Sequence, residues 1–381
     1  MTRRLAILGA TGSIGQSALS LLGESALDLE VVCLSAHRNL EALVNASAPW
    51  PEARRVLTGR RPGDPSVPAE AGYGFGPEGL LESLEAADPD LVLNGITGAA
   101  GIEASAWTLA HGKTLCLANK ESLVLGGPWL LSLAAETGAR ILPVDSEHAA
   151  IHQCLRGERR TDIRCIYLTA SGGALRDVPL EDLDAIEPTV ALRHPNWSMG
   201  ARITIGSATM MNKAFEVLEA HHLFDLPGDR IRVLLHRQSI VHGMVSFRDG
   251  SIVAQLGKPD MRVPIHYCLA WPDRGEFAFD GFDPEEFASL TFETVDPRRF
   301  PALALGYECL ERGGDAGSVL NAADEIATEA FLKGRISFRK IAEIVEKVLE
   351  RHVPRPISSI EEILAADEWA REEARRCLDS V

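Results

Sequence analysis

The sequence predicts an α/β chain in three parts. A doubly wound parallel sheet comes first, then a central α+β region with a mostly antiparallel sheet, then a helical bundle. Three observations predict this order. The first 145 residues alternate short apolar runs with helical stretches, the rhythm of βαβ units. From about Ile163 the runs become β-like, with Asp249-Gly250 as a hairpin signal between two of them. Past the segment "WPDRGEFAFDGFDPEEF" the chain turns helical.

Taken in order, "LAILGA", "EVVCLSA", "RRVLT", "LVLNGI", "TLCLAN" and "ARILPVD" read as buried strands. Residues 15–23, 102–111 and 129–137 read as crossover helices between them. The Gly/Pro-rich "GRRPGDPSVPAEAGYGFGPEG" reads as a surface excursion. In the central region "IRCIYLTA", "RIRVLLH" and "HGMVSFRDGSIVAQLG" read as strands. Residues 171–206 carry prolines, glycines and few apolar runs, which predicts a long lid loop. Helices are expected over 302–312, 318–332, 338–351 and 359–378. The expected domains are 1–145, which binds a dinucleotide, and 146–275, which is catalytic and dimerising and carries the lid 171–206. A linker 276–295 and a helical domain 296–381 follow. No repeat or low-complexity tract is present.

With 381 residues, 46% apolar and 24% charged, the chain reads as an ordinary globular protein able to bury sizeable cores. A net charge of −16 argues against nucleic acid or an anionic membrane as partner, while leaving room for a small anionic substrate in a local pocket. The start "MTRRLAILGA" has neither the apolar stretch nor the cleavage site of a signal peptide, and no apolar run approaches a bilayer span of roughly 20 residues. Seven scattered cysteines without CxxC spacing fit reduced thiols in a cytoplasm.

"LAILGATGSIGQSAL" sets Gly9, Gly12 and Gly15 at a strand-to-helix turn. Glycines there permit a tight turn and offer the helix N-terminus to a pyrophosphate, the Rossmann-like arrangement. The spacing is GxxGxxG and not the commoner GxGxxG, so a ligand-free glycine turn is the bland alternative. The second strand, "EVVCLSAHRN", ends without the acid that would hold an NAD ribose, and Arg38 can pair with a 2′-phosphate. That favours NADP, with a solvated loop arginine as the alternative.

"ILPVDSEHAAIHQC" places Asp145 and Glu147 either side of Ser146 where a strand ends. On extended chain, residues two apart point the same way, so the pair is expected to converge on a hard divalent ion, Mg²⁺ or Mn²⁺. "SATMMNKAFEVLEA" offers a third donor, with Asn212, Lys213 and Glu216 on one broad helical face. The plain alternatives are an N-cap Asp with a first-turn Glu, and a Lys213–Glu216 surface pair.

In order along the chain, "GATGSIG", "LANKESLV", "PVDSEHAAIHQ", "TASGG", "LRHPNWSMG", "SATMMNK", "AQLGKPDMRVPIHYCLAWP" and "LNAADEIATEAFL" resemble the hallmark segments of the 1-deoxy-D-xylulose 5-phosphate reductoisomerase family. The resemblance implies an NADPH- and divalent-metal-dependent enzyme that rearranges and reduces 1-deoxy-D-xylulose 5-phosphate to 2-C-methyl-D-erythritol 4-phosphate, in the non-mevalonate isoprenoid route. It implies that Thr11, Gly12, Ser13 and Ile14 hold the NADPH pyrophosphate, with His37, Arg38 and Asn39 near the adenosine phosphate. Asn119, Glu121 and Gly200 would lie near the rest of the dinucleotide. Asp145, Glu147 and Glu216 would bind Mg²⁺ or Mn²⁺. Lys120, Ser146, Glu147, Ser171, His194, Ser207, Asn212, Lys213 and Glu216 would meet the sugar phosphate, under a lid bearing Trp197 and Met199. Lys120, Asp145, Glu147, Glu216 and His194 form the implied catalytic set. A homodimer through the second sheet is also implied.

Three positions depart from the family pattern: His37 and Ala214 replace common glycines, and Gly206 replaces the aspartate before the "SAT" serine. Two rival readings remain at this point. One is an NADP-dependent dehydrogenase acting on a semialdehyde or homoserine, which needs no carboxylate triad. The other is a nucleotide sensor without turnover.

Overall fold

Short apolar runs joined by helices build the first sheet in the computed structural model, which describes residues 2–67, 72–195, 197, 199–279, 281 and 283–379. Asn196 and Ser198 of "LRHPNWSMG" lie outside the described residues. In chain order the elements are β1 (Arg3–Leu8), α1 (Ser13–Glu24), β2 (Leu29–Ala36), α2 (Leu40–Ser47), β3 (Arg54–Leu57), β4 (Gly74–Phe75) and α3 (Gly76–Ala87). There follow β5 (Leu91–Asn94), α4 (Ile102–Ala110), β6 (Thr114–Leu117), α5 (Glu121–Thr137), β7 (Arg140–Pro143) and α6 (Ser146–Cys154).

The first seven strands form one parallel sheet in the order β4-β3-β2-β1-β5-β6-β7. Leu5, Ile7, Leu8, Leu34 and Leu93 are fully buried, as a parallel sheet covered on both faces requires. Each such leucine contributes about 1.5–3 kcal/mol of burial free energy. The order reverses direction between β1 and β5, the switch point where open α/β sheets bind ligands. Backbones approach closely there: a Cβ on Gly9 would sit 2.7 Å from the Gly95 carbonyl oxygen.

The chain divides into two compact units. Unit 1 takes Met1–Asn119, Leu130–Ala149 and Asp260–Phe279; unit 2 takes Lys120–Trp129, Ala150–Pro259 and Asp280–Val381. α5 changes unit between Trp129 and Leu130, just past Gly126, which leaves helical geometry (φ −139°, ψ 30°) two residues before Pro128. These units differ from the expected domains, because residues 260–279 return to the first unit. There Cys268 donates its thiol to the Pro143 carbonyl, joining residues 260–279 to the end of β7.

In unit 2 come β8 (Ile163–Ala170), α7 (Pro188–Ala191), α8 (Ala201–Thr209), α9 (Met211–Phe224), β9 (Ile231–Leu235), β10 (Val241–Phe247) and β11 (Ile252–Leu256). Helix α10 (Arg262–Ala270) belongs to unit 1. Then follow β12 (Glu293–Thr294), α11 (Ala302–Arg312), α12 (Ala316–Leu332), α13 (Lys340–Arg351) and α14 (Ile360–Asp379). The second sheet runs β11-β10-β8-β9-β12, with only the β8–β9 pair parallel. The β10–β11 hairpin turns as expected, with Gly250 at φ +90° and the Asp249 carboxylate accepting from Ser251 N–H at 2.9 Å. α12 packs against α11, α13 and α14, and its small buried residues Ala322, Ala323 and Ala327 allow that close approach.

Two local expectations change. Residues 171–206 are not one loop: they hold a 3₁₀ turn at Leu180–Ala185, the short α7 and the first turns of α8. Asp145 and Glu147 do not lie on extended chain. β7 ends at Pro143, and Asp145 already accepts the first helical bond of α6 from Ala149 N–H at 2.8 Å. Their side chains are therefore set by the first turn of a helix and not by strand alternation, and the plain N-cap and first-turn reading describes their backbone. Among the described residues no helix is long and apolar enough to cross a membrane.

Candidate active site

In unit 1 the β1–α1 turn is built for close approach. Gly9 adopts φ +78°, open to glycine, and a Cβ on Gly15 would stand 2.4 Å from the Gly9 carbonyl. Ser35 steadies the turn, its hydroxyl accepting from Gly9 N–H at 3.1 Å. Gly12 is the N-cap of α1 and makes no side-chain cap, and Thr11, Gly12, Ser13 and Ile14 line this exposed to half-buried turn. Uncapped N–H groups at a helix start and a strand tip without Cβ atoms fit a pyrophosphate.

His37, Arg38 and Asn39 are exposed at the tip of β2. Asn39 caps α2, accepting from Ala42 N–H at 3.0 Å. Arg38 is braced from both sides: its Nε donates to the Gly59 carbonyl at 3.2 Å, and Arg60 Nε donates to the Arg38 carbonyl at 2.8 Å. Gly59 also explains how His37 fits where the family has glycine, since a Cβ on Gly59 would lie 2.4 Å from the His37 ring. Asn119 is buried at the tip of β6, donating to the carbonyls of Ile96 at 2.7 Å and Gly98 at 2.9 Å. It shapes the neighbouring loop.

At the end of β7, Asp145, Ser146 and Glu147 are half-buried. Ser146 Oγ donates to Glu147 Oε2 at 2.5 Å, and the fully buried His148 brings Nδ1 to 3.9 Å from Asp145 Oδ1. His148 was missed by the sequence reading. Its signal was the three-residue spacing from Asp145, which becomes a contact once the segment is helical.

Unit 2 gathers the remaining polar residues around α9. Glu216 is 1% exposed, so its charge needs partners. Its Oε1 accepts from Asn212 Nδ2 at 2.6 Å and Lys120 Nζ at 3.1 Å, and its Oε2 accepts from Lys213 Nζ at 2.5 Å. Lys213, itself buried, also donates to the Thr169 carbonyl at 2.7 Å. The alternative of a solvated Lys213–Glu216 pair is thus excluded. Removing one partner from such a buried pair costs about 3–5 kcal/mol.

Ser171 follows β8, and Gly173, at φ +70°, folds the chain onto α8, where a Cβ would stand 2.7 Å from the Ser207 carbonyl. The Ser171 hydroxyl accepts from Gly173 N–H at 3.1 Å and lies 3.0 Å from His194 Nε2. His194 Nδ1 accepts from Trp197 N–H at 2.9 Å, so the ring is neutral with its proton on Nε2. Burial, helped by the nearby Arg176 charge, lowers the His194 pKa from 6.5 to about 4, which agrees with that tautomer. Met199 is half-buried, and Gly200 is the exposed N-cap of α8.

Ser207 lies on α8, one αL residue (Met210, φ 63°) before α9. Gly206 leaves the Asn212 backbone 3.4 Å from where a Cβ would stand, so no side chain at 206 supports Asn212. Ala214 is accommodated by Gly306 on α11, whose added Cβ would come within 2.9 Å of the Ala214 methyl. Glu121, at the start of α5, is buried and accepts from Arg202 Nη1 at 3.1 Å.

Known proteins are similar to this chain along nearly its whole length. Residues 5–127 match 1-deoxy-D-xylulose 5-phosphate reductoisomerase, residues 141–224 its C-terminal domain, and residues 256–373 the DXP reductoisomerase C-terminal domain. The enzyme of that name from Anaeromyxobacter dehalogenans is 47% identical over 98% of this chain and 97% of its own. The Zymomonas mobilis reductoisomerase, solved in complex with NADPH, is 40% identical with a TM-score of 0.91 over 100% of both chains. A DOX-P reductoisomerase solved with NADPH, fosmidomycin and magnesium is 35% identical, with a TM-score of 0.90 over 99% of this chain and 98% of that one. The chain belongs to the 1-deoxy-D-xylulose 5-phosphate reductoisomerase family.

Proposed function

We propose that this chain converts 1-deoxy-D-xylulose 5-phosphate to 2-C-methyl-D-erythritol 4-phosphate with NADPH and a divalent cation, in the non-mevalonate isoprenoid route. The observation that carries the reading is the buried Glu216 carboxylate surrounded by Lys120, Asn212 and Lys213. A plain dehydrogenase or a nucleotide sensor has no use for such a costly charged cluster beside hydroxyl and imidazole donors.

Asp145, Glu147 and Glu216 supply hard oxygen donors, suited to Mg²⁺ or Mn²⁺. When bound, the cation supplies Lewis-acid polarisation of the substrate's ketone and adjacent hydroxyl. Lys120 carries a positive charge next to Glu216 and stabilises oxyanion character that develops during the carbon shift. Ser146 is offered to the substrate between the two acids. Ser171, Ser207, Asn212 and Lys213 give the hydroxyl, amide and ammonium donors that a phosphate takes. Neutral His194 orients Ser171 toward the same ligand. Trp197 and Met199 cover the substrate, excluding water while the rearranged aldehyde awaits reduction.

Thr11, Gly12, Ser13 and Ile14 take the NADPH pyrophosphate, and His37, Arg38 and Asn39 the adenosine end. Asn119, Glu121 and Gly200 shape the remaining dinucleotide site. In this reading residues 1–145 serve cofactor binding, 146–275 catalysis and dimerisation under the lid 171–206, and 296–381 form a helical support reached through 276–295. The dimer is proposed through β11, an edge strand on which Ile252 is 60% and Leu256 41% exposed. A cytoplasmic location is proposed as well, since all seven cysteines are free and buried. Following NADPH oxidation with 1-deoxy-D-xylulose 5-phosphate, with and without Mg²⁺, tests the activity, and sedimentation tests the dimer. Oxidation that ignores the sugar phosphate would reject the reading.

A further inference from the structure

Arg202 holds more partners than any role described so far requires. It lies in the first turn of α8, directly after the 194–200 segment. Its Nη1 donates to Glu121 Oε1 on α5 at 3.1 Å and to Glu325 Oε1 on α12 at 2.8 Å. Its Nη2 donates to Asn321 Oδ1 at 2.7 Å and lies 3.5 Å from Asp324 Oδ2, both also on α12. One guanidinium therefore joins three helices, using the planar fork that only arginine offers. The network extends on the far side to Arg371 on α14, which pairs with Glu325 and Asp367.

Two features set this apart from a structural ion pair. Glu121 follows Lys120 directly in sequence, and Lys120 is the residue whose ammonium reaches Glu216. Acids also outnumber bases around Arg202: Glu121, Asp324 and Glu325 face Arg202 and Arg371. Burial accordingly raises the Asp324 pKa to about 6 even beside Arg202. An excess of buried acid needs a geometric reason to persist.

We propose that Arg202 is a positioning residue for the reaction. It fixes the Glu121 carboxylate, and through the Lys120–Glu121 peptide it sets where the Lys120 ammonium points. It also anchors the first turn of α8, so the starts of α8 and α5 are set by one side chain. This inference rests on the reductoisomerase reading.

Arg202→Lys tests it in the full chain, with NADPH, Mg²⁺ and 1-deoxy-D-xylulose 5-phosphate. Lysine keeps the charge but offers a point donor that cannot bridge α5 and α12 together. The expected result is a fall in kcat of about tenfold or more, since displacements near 1 Å cost up to about 100-fold. The KM for NADPH should rise more than the KM for the sugar phosphate. Arg371→Met supplies the structural control: it loosens the same network away from Glu121, so it should lower Tm and leave kcat and both KM values near wild type. Arg202→Lys with wild-type kcat and KM values would overturn the inference, as would losses of activity that match between Arg202→Lys and Arg371→Met. Wild-type enzyme without sugar-phosphate turnover would instead overturn the activity reading itself.

Discussion

His194 accepts the Trp197 backbone N–H on Nδ1 at 2.9 Å and places Nε2 3.0 Å from the Ser171 hydroxyl. The ring thus ties the 194–200 segment to the turn after β8, and it can do so only while neutral. His194→Ala removes the tie. Losing a hydrogen bond that orients a ligand group costs about 1–2 kcal/mol, or roughly 5- to 30-fold. The KM for the sugar phosphate should rise by that factor, with the KM for NADPH nearly unchanged, in steady-state kinetics.

The same tautomer has a consequence for stability. Burial lowers His152, His194 and His242 from 6.5 to about 4, and His222 to about 3. Between those values and about pH 6.5, the unfolded chain binds protons that the folded chain does not. Stability therefore rises with pH across that window and is lost as pH falls from about 6.5 toward 4. Asp324, raised to about 6, works in the opposite direction between its ordinary 3.8 and that value, because the folded carboxyl keeps its proton there. Four imidazoles outweigh one carboxyl. Denaturant midpoints should drop between pH 7 and pH 5, and a flat profile would contradict the assignment of neutral buried histidines.

Arg38 stands exposed at the tip of β2, braced by Gly59 and Arg60, and the strand-tip sequence Ser35–Asn39 carries no acid to hold a ribose hydroxyl. Arg38→Ala should narrow the ratio of kcat/KM for NADPH over NADH by about tenfold, the worth of one charge-assisted contact. An unchanged ratio would mean that the 2′-phosphate is read elsewhere.

The lid proposed over residues 171–206 should become more protected around His194 and Trp197 when ligand binds. Exposed Arg193 precedes half-buried His194 and Trp197, and exposed Gly200 follows them. Amide hydrogen exchange across 194–200 should slow on adding NADPH with the sugar phosphate or a phosphonate analogue. Protection that is high beforehand and does not change would exclude a closing lid.

Much of this was legible in the sequence, for physical reasons that differ by element. The first sheet announced itself because parallel strands buried on both faces are continuous apolar runs, as in Leu91, Val92 and Leu93 of β5. The Asp249-Gly250 hairpin was legible because only a few residues tolerate its backbone. The geometry of Asp145 and Glu147 was not, since a four-residue strand running into a helix has too little pattern to place its end. The same holds for residues 260–279, whose return to the first unit depends on long-range packing such as Cys268 on Pro143. His148 and Arg202 were passed over because a lone histidine or arginine means little until the fold supplies its partners. Glu216 was found, but its burial was not: the helix around it reads as ordinary until Lys120 arrives from 96 residues away in sequence.

The central claim is that the carboxylates serve a metal-dependent rearrangement coupled to NADPH oxidation. Glu216→Gln tests it most directly, because glutamine keeps the side chain's size and removes the charge that a hard cation and the two ammonium groups require. With 1-deoxy-D-xylulose 5-phosphate, wild-type enzyme should oxidise NADPH only when Mg²⁺ or Mn²⁺ is present. The variant should lose turnover by about 100-fold or more while keeping NADPH affinity, as expected when one ligand of a catalytic metal is removed. Near-wild-type turnover by Glu216→Gln, or by the wild type in metal-free buffer, would contradict the account.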